Sequence, residues 1–277
     1  MYLFQQVSEY CSRITTEAYS TSFASAIRLL HKDLRKPIYN IYGFVRFADE
    51  IVDTFHGYDR HALLTQFRED TYLAIERRIS LNPILHSFQL TVNDYKMDHS
   101  LIEAFFKSMQ MDLEKTRYDQ DAYHEYIYGS AEVVGLMCLY VFCEGNKKIF
   151  DHLKPYARSL GAAFQKVNFL RDIKSDYNDL HRTYFPGIDF NNFTSHMKDS
   201  IEKDIAKDFS HAYEGILQLP LKARFSVYVA YKYYLSLFEK IKSVQPACIM
   251  VERIRIPNYW KLLIIIRARL KNQLRLI

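Results

Sequence analysis

An all-α fold is predicted for this chain by three features of its sequence. Apolar residues recur at helical spacing almost throughout, and no segment shows convincing strand-like alternation. The 277 residues include only eight glycines and seven prolines, which favours long helices over many short strands. Because 49% of the residues are apolar, the chain can bury a sizeable core. We therefore predict one domain, residues 1–277, in which helices form a bundle around a central cavity.

The predicted helices are separated by short connections. Ser20, Thr21 and Ser22 are candidate caps for the first helix. Pro37 and Pro155 suit first-turn positions, because proline lacks the N–H group that an interior position would use. The predicted helices span residues 21–34, 37–55, 59–79, 98–115, 123–142, 149–180 with a new helix beginning near Pro155, and about 199–217, 220–243 and 257–273.

The charge and cysteine patterns bear on location and partners. The net charge of +5 is modest and does not indicate a nucleic acid partner. Four cysteines without metal-binding spacing, and a start unlike a signal peptide, predict a cytoplasmic protein. The longest apolar run, LLIII, is too short to span a bilayer.

No acidic residue follows Glu252, whereas seven basic residues do. This segment fits either a solvated basic helix or a surface helix that contacts anionic lipid or a phosphate-bearing substrate, as a peripheral membrane protein would. The basic residues are Arg253, Arg255, Lys261, Arg267, Arg269, Lys271 and Arg275.

A polar stripe runs through the otherwise apolar segment LGAAFQKVNFLRDIKSD. Gln165, Asn168, Asp172 and Asp176 follow an i, i+3, i+7, i+11 spacing, so on a helix they occupy a face roughly 80° wide. A surface helix normally carries a wide polar face rather than a narrow slot between phenylalanines. The pattern therefore predicts a functional site.

An earlier segment, YGFVRFADEIVD, repeats this arrangement. Tyr42, Arg46, Asp49 and Asp53 share one face of a predicted helix whose other side is apolar. Taken alone, this pattern favours a solvated acidic face, since most surface helices are amphipathic.

Taken together, the two stripes predict a cation site. Like charges four residues apart repel one another when buried, and a positive ion between them removes that cost. Carboxylate and amide oxygens suit Mg²⁺, which binds one or two carboxylates together with substrate phosphates. Arg46 and Arg171 would then contact phosphate oxygens. The 22 tyrosines and 19 phenylalanines are mostly core, but ring faces in a cavity also stabilise a carbocation.

The segments YSTSFASAIRLL, IYGFVRFADEIVD, YIYGSAEVVGLM and FQKVNFLRDIKSDYNDLHRTYFP together resemble the squalene/phytoene synthase family, the head-to-head prenyl transferases. The resemblance covers about residues 8–270. It implies the all-helical isoprenoid-synthase fold, two or three Mg²⁺ ions and prenyl diphosphate substrates. Two allylic diphosphates would condense through a cyclopropyl diphosphate to a C1–C1′ linked hydrocarbon.

The resemblance also implies roles for individual residues. Asp49, Asp53, Asp172 and Asp176 would be catalytic metal ligands, with Asn168 as a further ligand. Residues that match diphosphate-contacting positions are Ser20, Thr21, Ser22, Arg46, Gln165, Arg171, Tyr234 and Arg253. Residues that match the wall near the reacting carbons are the candidate catalytic Tyr42 and Tyr126, with Ala131, Val134 and Gly135 in the prenyl pocket.

Within the family the chain is most similar to bacterial phytoene synthases, which implies two geranylgeranyl diphosphates as substrates, 15-cis-phytoene as product and no NADPH. Squalene or dehydrosqualene synthase, acting on two farnesyl diphosphates, is the alternative. A non-enzymatic assembly protein is disfavoured because both DxxxD motifs are present. Two departures stand out: Ser175 replaces an acidic residue, and Glu132 lies where glycine is frequent.

Overall fold

Thirteen α-helices make up most of residues 1–179 and 182–274, which the computed structural model describes without the side chains of Ser175, Asn178, Asp179 and Asn258. No strand occurs within these described ranges, in agreement with the all-α prediction. The helices are α1 Tyr2–Tyr19, α2 Thr21–Ile27, α3 Lys32–Asp53, α4 Arg60–Arg77, α5 Pro83–Tyr95, α6 His99–Glu114, α7 Gln120–Ile127, α8 Val133–Phe142, α9 Lys147–Ile173, α10 Ser195–Ile216, α11 Leu221–Lys242, α12 Pro246–Val251 and α13 Asn258–Gln273.

Two π-helical segments interrupt or extend the helices. Tyr128–Glu132 joins α7 to α8, and Lys174–Asp179 continues α9. A short 3₁₀ turn, Phe190–Asn192, precedes α10. Wider π-helical turns occur frequently at functional sites, and both segments here contribute residues to the central cavity described below.

Helices α1 and α5 were not predicted, and their burial explains why. The buried side of α1 consists of Ser8, Ser12 and Thr16, so its apolar residues do not mark the core-facing side. Helix α5 is buried over most of its surface and has no polar face to reveal a helical period. Both helices pack against α3 and so position the first acidic stripe.

The predicted helix 21–34 is divided in the structure. Ser20 caps α2 by accepting a hydrogen bond from the Phe23 N–H at 3.2 Å, and α2 ends at Ile27. A new helix, α3, begins at Lys32. The His31 N–H between them donates to the Lys222 carbonyl at 3.1 Å, which satisfies the backbone at the break.

The predicted helix starts at Pro37 and Pro155 were wrong. Both prolines lie inside continuous helices, α3 and α9. Helix α9 starts earlier because the Asn146 side chain accepts a hydrogen bond from the Ile149 N–H at 3.2 Å, which caps the helix. An interior proline removes one helical hydrogen bond, and both helices continue through their proline in spite of that cost.

Close backbone contacts bring α9 to the cavity. A Cβ added at Gly161 would lie 2.7 Å from the Ala131 carbonyl oxygen, so only glycine permits this approach to the first π-helical segment. Glu132 in that segment is paired with Arg158 of α9, whose Nε lies 2.5 Å from Glu132 Oε2. Burial raises the pKa of Glu132, and the guanidinium of Arg158 opposes that shift. Glu132 therefore ties the two elements together.

Candidate active site

The helices enclose a cavity of about 710 Å³ with contrasting ends. The cavity-lining residues of α3 begin with Ile38 and end with Asp53. Those of α9 and the π-helical segment that continues it begin with Leu153 and end with Asp176. In both helices the apolar residues come first and the acidic ones last. The cavity thus has an acidic end, formed where α3 and α9 finish, and an apolar end.

All four residues of the first stripe, Tyr42, Arg46, Asp49 and Asp53, line the cavity. Arg46 forms an ion pair with Glu50 one turn further along α3, and its NH1 lies 3.9 Å from Asp49 Oδ2. The Tyr19 ring lies against the Arg46 guanidinium at 4.4 Å. The cation of Arg46 is therefore mainly engaged by Glu50 rather than by the stripe's aspartates.

All four residues of the second stripe also line the cavity, namely Gln165, Asn168, Asp172 and Asp176. Asp172 is held by two arginines: Arg171 Nε donates to Oδ1 at 3.0 Å, and Arg253 Nε lies 2.7 Å from the same oxygen. Arg253 comes from the segment before α13, so this bond joins α9 to the C-terminal part of the chain.

Three aspartates that line the acidic end have raised pKa values. Burial, reinforced by the charge of Asp53, raises the pKa of Asp49 to about 7. Burial, reinforced by the charge of Asp172, raises the pKa of Asp176 to about 7. Burial also raises the pKa of Asp53, although the Arg182 guanidinium opposes the shift. Negative charge at the acidic end is therefore incompletely balanced by the protein's own cations.

The remaining predicted residues divide into two groups. Thr21 and Ser22 do not line the cavity: Thr21 is exposed, and its hydroxyl accepts a hydrogen bond from Lys261 at 3.2 Å. Ser20 does line it, as the cap of α2. The other predicted residues that line the cavity are Tyr126, Ala131, Val134, Gly135, Arg171, Tyr234 and Arg253.

Three residues at the acidic end, Asp112, Arg182 and Tyr184, were not predicted. The buried Asp112 carboxylate accepts hydrogen bonds from Tyr126 at 2.7 Å and from Tyr184 at 3.4 Å. Arg182 is also buried, and its NH2 donates to the Asp112 carbonyl at 2.8 Å. Burial is the largest effect on Asp112 and raises its pKa to about 7. The exit segment HRTYFP contains two of these residues, whereas Asp112 carries no pattern of its own.

Arg182 connects the two stripes. Its NH1 lies 3.5 Å from Asp53 Oδ1 on α3, and its backbone N–H donates to the Asp176 carbonyl at 2.7 Å. The same guanidinium lies 3.8 Å from Asp112 Oδ1 on α6. One buried cation therefore fixes the distance between the ends of the two acidic helices.

A family model described as squalene/phytoene synthase matches residues 16–260, which is most of the chain. The chain belongs to the squalene/phytoene synthase family. A 4,4'-diapophytoene synthase from Staphylococcus haemolyticus is 26% identical over 207 residues, covering 72% of this chain and 69% of that protein. Phytoene synthase 1, chloroplastic, from Solanum lycopersicum is 26% identical over 260 residues, covering 87% of this chain and 62% of that protein. The chain thus spans less than two thirds of the plant relative's length.

Solved structures place this squalene/phytoene synthase family member in the isoprenoid-synthase fold. A dehydrosqualene synthase in complex with a ligand superposes with a TM-score of 0.83 at 20% identity, covering 98% of both chains. Squalene synthase HpnC from Alicyclobacillus acidocaldarius superposes with a TM-score of 0.76 at 18% identity, covering 86% of this chain and 94% of that one. Members of the squalene/phytoene synthase family are prenyltransferases.

The donor groups of this family member fit Mg²⁺. Asn168 Oδ1 is buried without a hydrogen-bond partner, and Asp49 and Asp176, which line the same cavity, have raised pKa values. In the described part of the chain, no three His, Cys, Asp or Glu side chains lie close enough to form a complete metal site. Since Mg²⁺ retains several waters and takes phosphates as ligands, the arrangement suits an ion that is shared with a diphosphate.

Proposed function

We propose that this protein catalyses the Mg²⁺-dependent head-to-head condensation of two prenyl diphosphates. The observation that supports this most strongly is the pair of acidic stripes on α3 and α9, which line one cavity whose far end is apolar. An acidic end with bound cations suits diphosphate groups, and an apolar end suits hydrocarbon tails. The chemistry divides accordingly between the two ends.

At the acidic end, Asp49, Asp53, Asp172, Asp176 and Asn168 would hold the Mg²⁺ ions. Bound Mg²⁺ supplies positive charge that stabilises the departing diphosphate. Guanidinium groups bind phosphate oxygens through paired hydrogen bonds. The side chains proposed to bind diphosphate are Arg46, Arg171, Arg253, Gln165, Tyr234 and Ser20, all of which line the cavity.

Near the reacting carbons, two tyrosines would face the carbocation. Burial raises the pKa of Tyr42 to about 12 and holds the pKa of Tyr126 well above its usual value. Both side chains therefore remain neutral phenols, whose rings stabilise a cation without trapping it as a phenolate nucleophile would. The proposed cavity wall beside these two tyrosines includes the small residues Ala131, Val134 and Gly135.

Tyr126 is further oriented by its hydrogen bond to Asp112 at 2.7 Å. The phenol proton of Tyr126 points to the Asp112 carboxylate. The lone pairs of the phenol oxygen are therefore directed away from that carboxylate. Asp112 thus acts as a positioning residue. An Asp112→Asn variant should lower turnover, and it should do so less than loss of a proposed Mg²⁺ ligand does.

Two geranylgeranyl diphosphates are the proposed substrates, with phytoene as the product, no NADPH requirement and a place in carotenoid biosynthesis. Farnesyl diphosphate is the second candidate, with squalene or dehydrosqualene as product, because a diapophytoene synthase and a phytoene synthase are both 26% identical to the chain. The plant phytoene synthase aligns over more of the chain, 87% against 72%. We propose a cytoplasmic location for the enzyme.

A product assay tests this proposal. Purified protein is incubated with Mg²⁺ and each diphosphate in turn, with and without NADPH, and hydrocarbon and pyrophosphate are quantified. We expect phytoene and pyrophosphate from geranylgeranyl diphosphate alone. Squalene formed only with NADPH would favour the farnesyl alternative. The absence of product from both substrates would contradict the enzyme proposal and favour an assembly or binding protein. Product formation unaffected by EDTA would contradict the proposed Mg²⁺ dependence.

A further inference from the structure

Helix α13 exposes an apolar stripe on the side that faces away from the protein. Ile264 and Ala268 are buried, and through this side α13 packs against α11. At about 100° per residue, the exposed side chains follow an i, i+4, i+7, i+11 spacing on the opposite side. They are Tyr259, Leu263, Ile266 and Leu270, which are 67%, 39%, 47% and 55% exposed. Most surface helices place their apolar side inward, so α13 has an outer surface of a different kind.

Basic residues border this stripe on both sides. Arg267 and Lys271 project along one edge, and Arg269 projects along the other. These three residues are exposed, and no acidic residue follows Glu252 in the sequence. An apolar stripe with cationic borders is the pattern of a helix that lies in the interface of an anionic membrane. Arg275, predicted to extend the basic segment, lies outside the described residues.

The stripe of α13 lies near the acidic end of the cavity. Lys261, in the first turn of α13, donates to the Thr21 hydroxyl at 3.2 Å, and the adjacent Ser20 lines the cavity. Arg253, shortly before α13, lines the cavity and pairs with Asp172. A bilayer bound to α13 would therefore lie near the acidic end of the cavity, where Ser20 and Arg253 line it.

We propose that α13 docks on an anionic lipid bilayer, with its apolar stripe in the acyl boundary and its arginines among the headgroups. In the described part of the chain, no helix is both long and apolar enough to cross a membrane. A second copy of this chain fits less well, because a symmetric contact would bring the arginines of both copies together. Lipid binding by α13 does not depend on the proposed function. Only a role of the bilayer in delivering prenyl substrates would rest on that function.

Trp260 makes this inference directly measurable. It is the only tryptophan in the chain, it lies on α13, and it is 39% exposed. With vesicles of phosphatidylcholine and phosphatidylglycerol, we expect a blue shift of its emission, quenching by brominated acyl chains, and co-sedimentation of the protein. Pure phosphatidylcholine vesicles should give none of these three signals, and high salt should reverse all of them. Unchanged emission and no sedimentation with anionic vesicles would overturn the proposal.

A matched pair of variants separates docking from folding. Leu270→Glu places a charge in the stripe, and Leu81→Glu makes the same change at a 91% exposed leucine between α4 and α5. We expect Leu270→Glu to weaken vesicle binding by roughly ten-fold or more, because a charge opposes burial in the acyl boundary. Leu81→Glu should bind like the parent, and both variants should retain the parent's helical content and melting temperature.

Two further measurements complete the test. Arg267→Gln with Arg269→Gln should weaken binding to anionic vesicles several-fold and reduce its salt dependence. If light scattering instead shows a dimer that Leu270→Glu converts to a monomer, a second copy covers the stripe and the lipid proposal is wrong. Turnover of detergent-dispersed substrate by Leu270→Glu should be unchanged, so failure of docking and failure of the proposed catalysis are distinguishable.

Discussion

The two acidic stripes share a DxxxD spacing but differ in the positive charge around their first aspartates. On α9, Asp172 holds two guanidinium groups, and Arg253 Nε lies 2.7 Å from its Oδ1. On α3, Asp49 has Arg46 at 3.9 Å, and that arginine pairs more closely with Glu50. One stripe is therefore anchored by arginines before any ligand binds, whereas the other is poorly compensated.

This difference assigns the two stripes different roles in the proposed clamp. The pKa of Asp49 is raised to about 7, which marks a carboxylate that benefits from an added cation. The pKa of Asp176, in the π-helical segment that continues α9, is also raised to about 7. We infer that metal binding chiefly relieves repulsion at Asp49, Asp53 and Asp176, while Asp172 keeps α9 connected to Arg253.

The largest expected effect is on turnover. Asp49→Asn and Asp172→Asn should each lower the rate by about 10²-fold or more, because both are proposed Mg²⁺ ligands and loss of such a ligand costs several kcal/mol of transition-state stabilisation. Steady-state kinetics with Mg²⁺ in excess will measure it. The comparison between the stripes would fail if either variant kept parental turnover while showing parental circular dichroism.

The same two substitutions should shift stability in opposite directions. In EDTA at pH 8, Asp49→Asn should raise the free energy of unfolding by about 1 kcal/mol, since it removes a poorly compensated buried charge. Asp172→Asn should lower it by about 1–3 kcal/mol, because two arginines lose their carboxylate. Denaturant titration measures both values, and changes of equal sign would contradict the assigned difference.

The metal-free protein should lose stability as the pH rises from 6 to 8. Asp49 and Asp176 have folded-state pKa values of about 7, above the ordinary value of 3.8. Their contribution to stability is therefore full below the ordinary value and is lost as the pH passes through about 7. Melting temperatures in EDTA should fall by a few degrees over this range.

Two controls accompany that measurement. Mg²⁺ with inorganic pyrophosphate should remove most of the pH dependence, because bound cations balance the ionised carboxylates. Asp49→Asn should remove part of it even in EDTA. A melting temperature in EDTA that rises between pH 6 and pH 8 would show that Asp49 and Asp176 do not dominate the pH dependence of stability.

The smallest expected effect concerns Arg253. Arg253→Gln should make the second stripe resemble the first, since Asp172 then keeps only Arg171. We expect turnover to fall about ten-fold and the Mg²⁺ concentration required for half-maximal rate to fall as well, because less positive charge competes for the stripe. Arg255→Gln, at an exposed position two residues away, is the control. A higher Mg²⁺ requirement in Arg253→Gln would contradict this account.

Much of the site could be predicted because it is periodic. The spacing of Asp49 and Asp53 and of Asp172 and Asp176 follows from one helix face, and helical geometry alone places such residues together. Asp112 could not be found in this way. No second aspartate lies four residues from it on α6, and only tertiary packing buries it beside Tyr126.

The helix boundaries also could not be predicted fully from the local sequence pattern. Pro37 and Pro155 were expected to start helices, yet α3 already begins at Lys32, and α9 begins at Lys147 directly after its Asn146 cap. The inner side of α1 is made of serine and threonine, so its apolar residues indicate the exposed surface. Packing and capping together outweigh the intrinsic helix propensity of individual residues.

A crystal structure with Mg²⁺ and a non-hydrolysable prenyl thiodiphosphate tests the central claim most directly. We expect metal ions held between diphosphate oxygens and carboxylates of both stripes, including Asp49 on α3 and Asp176 in the π-helical segment that continues α9. The prenyl chain should extend toward Leu153 at the apolar end. A diphosphate bound away from the two stripes, or metal ions held by neither Asp49 nor Asp176, would contradict it.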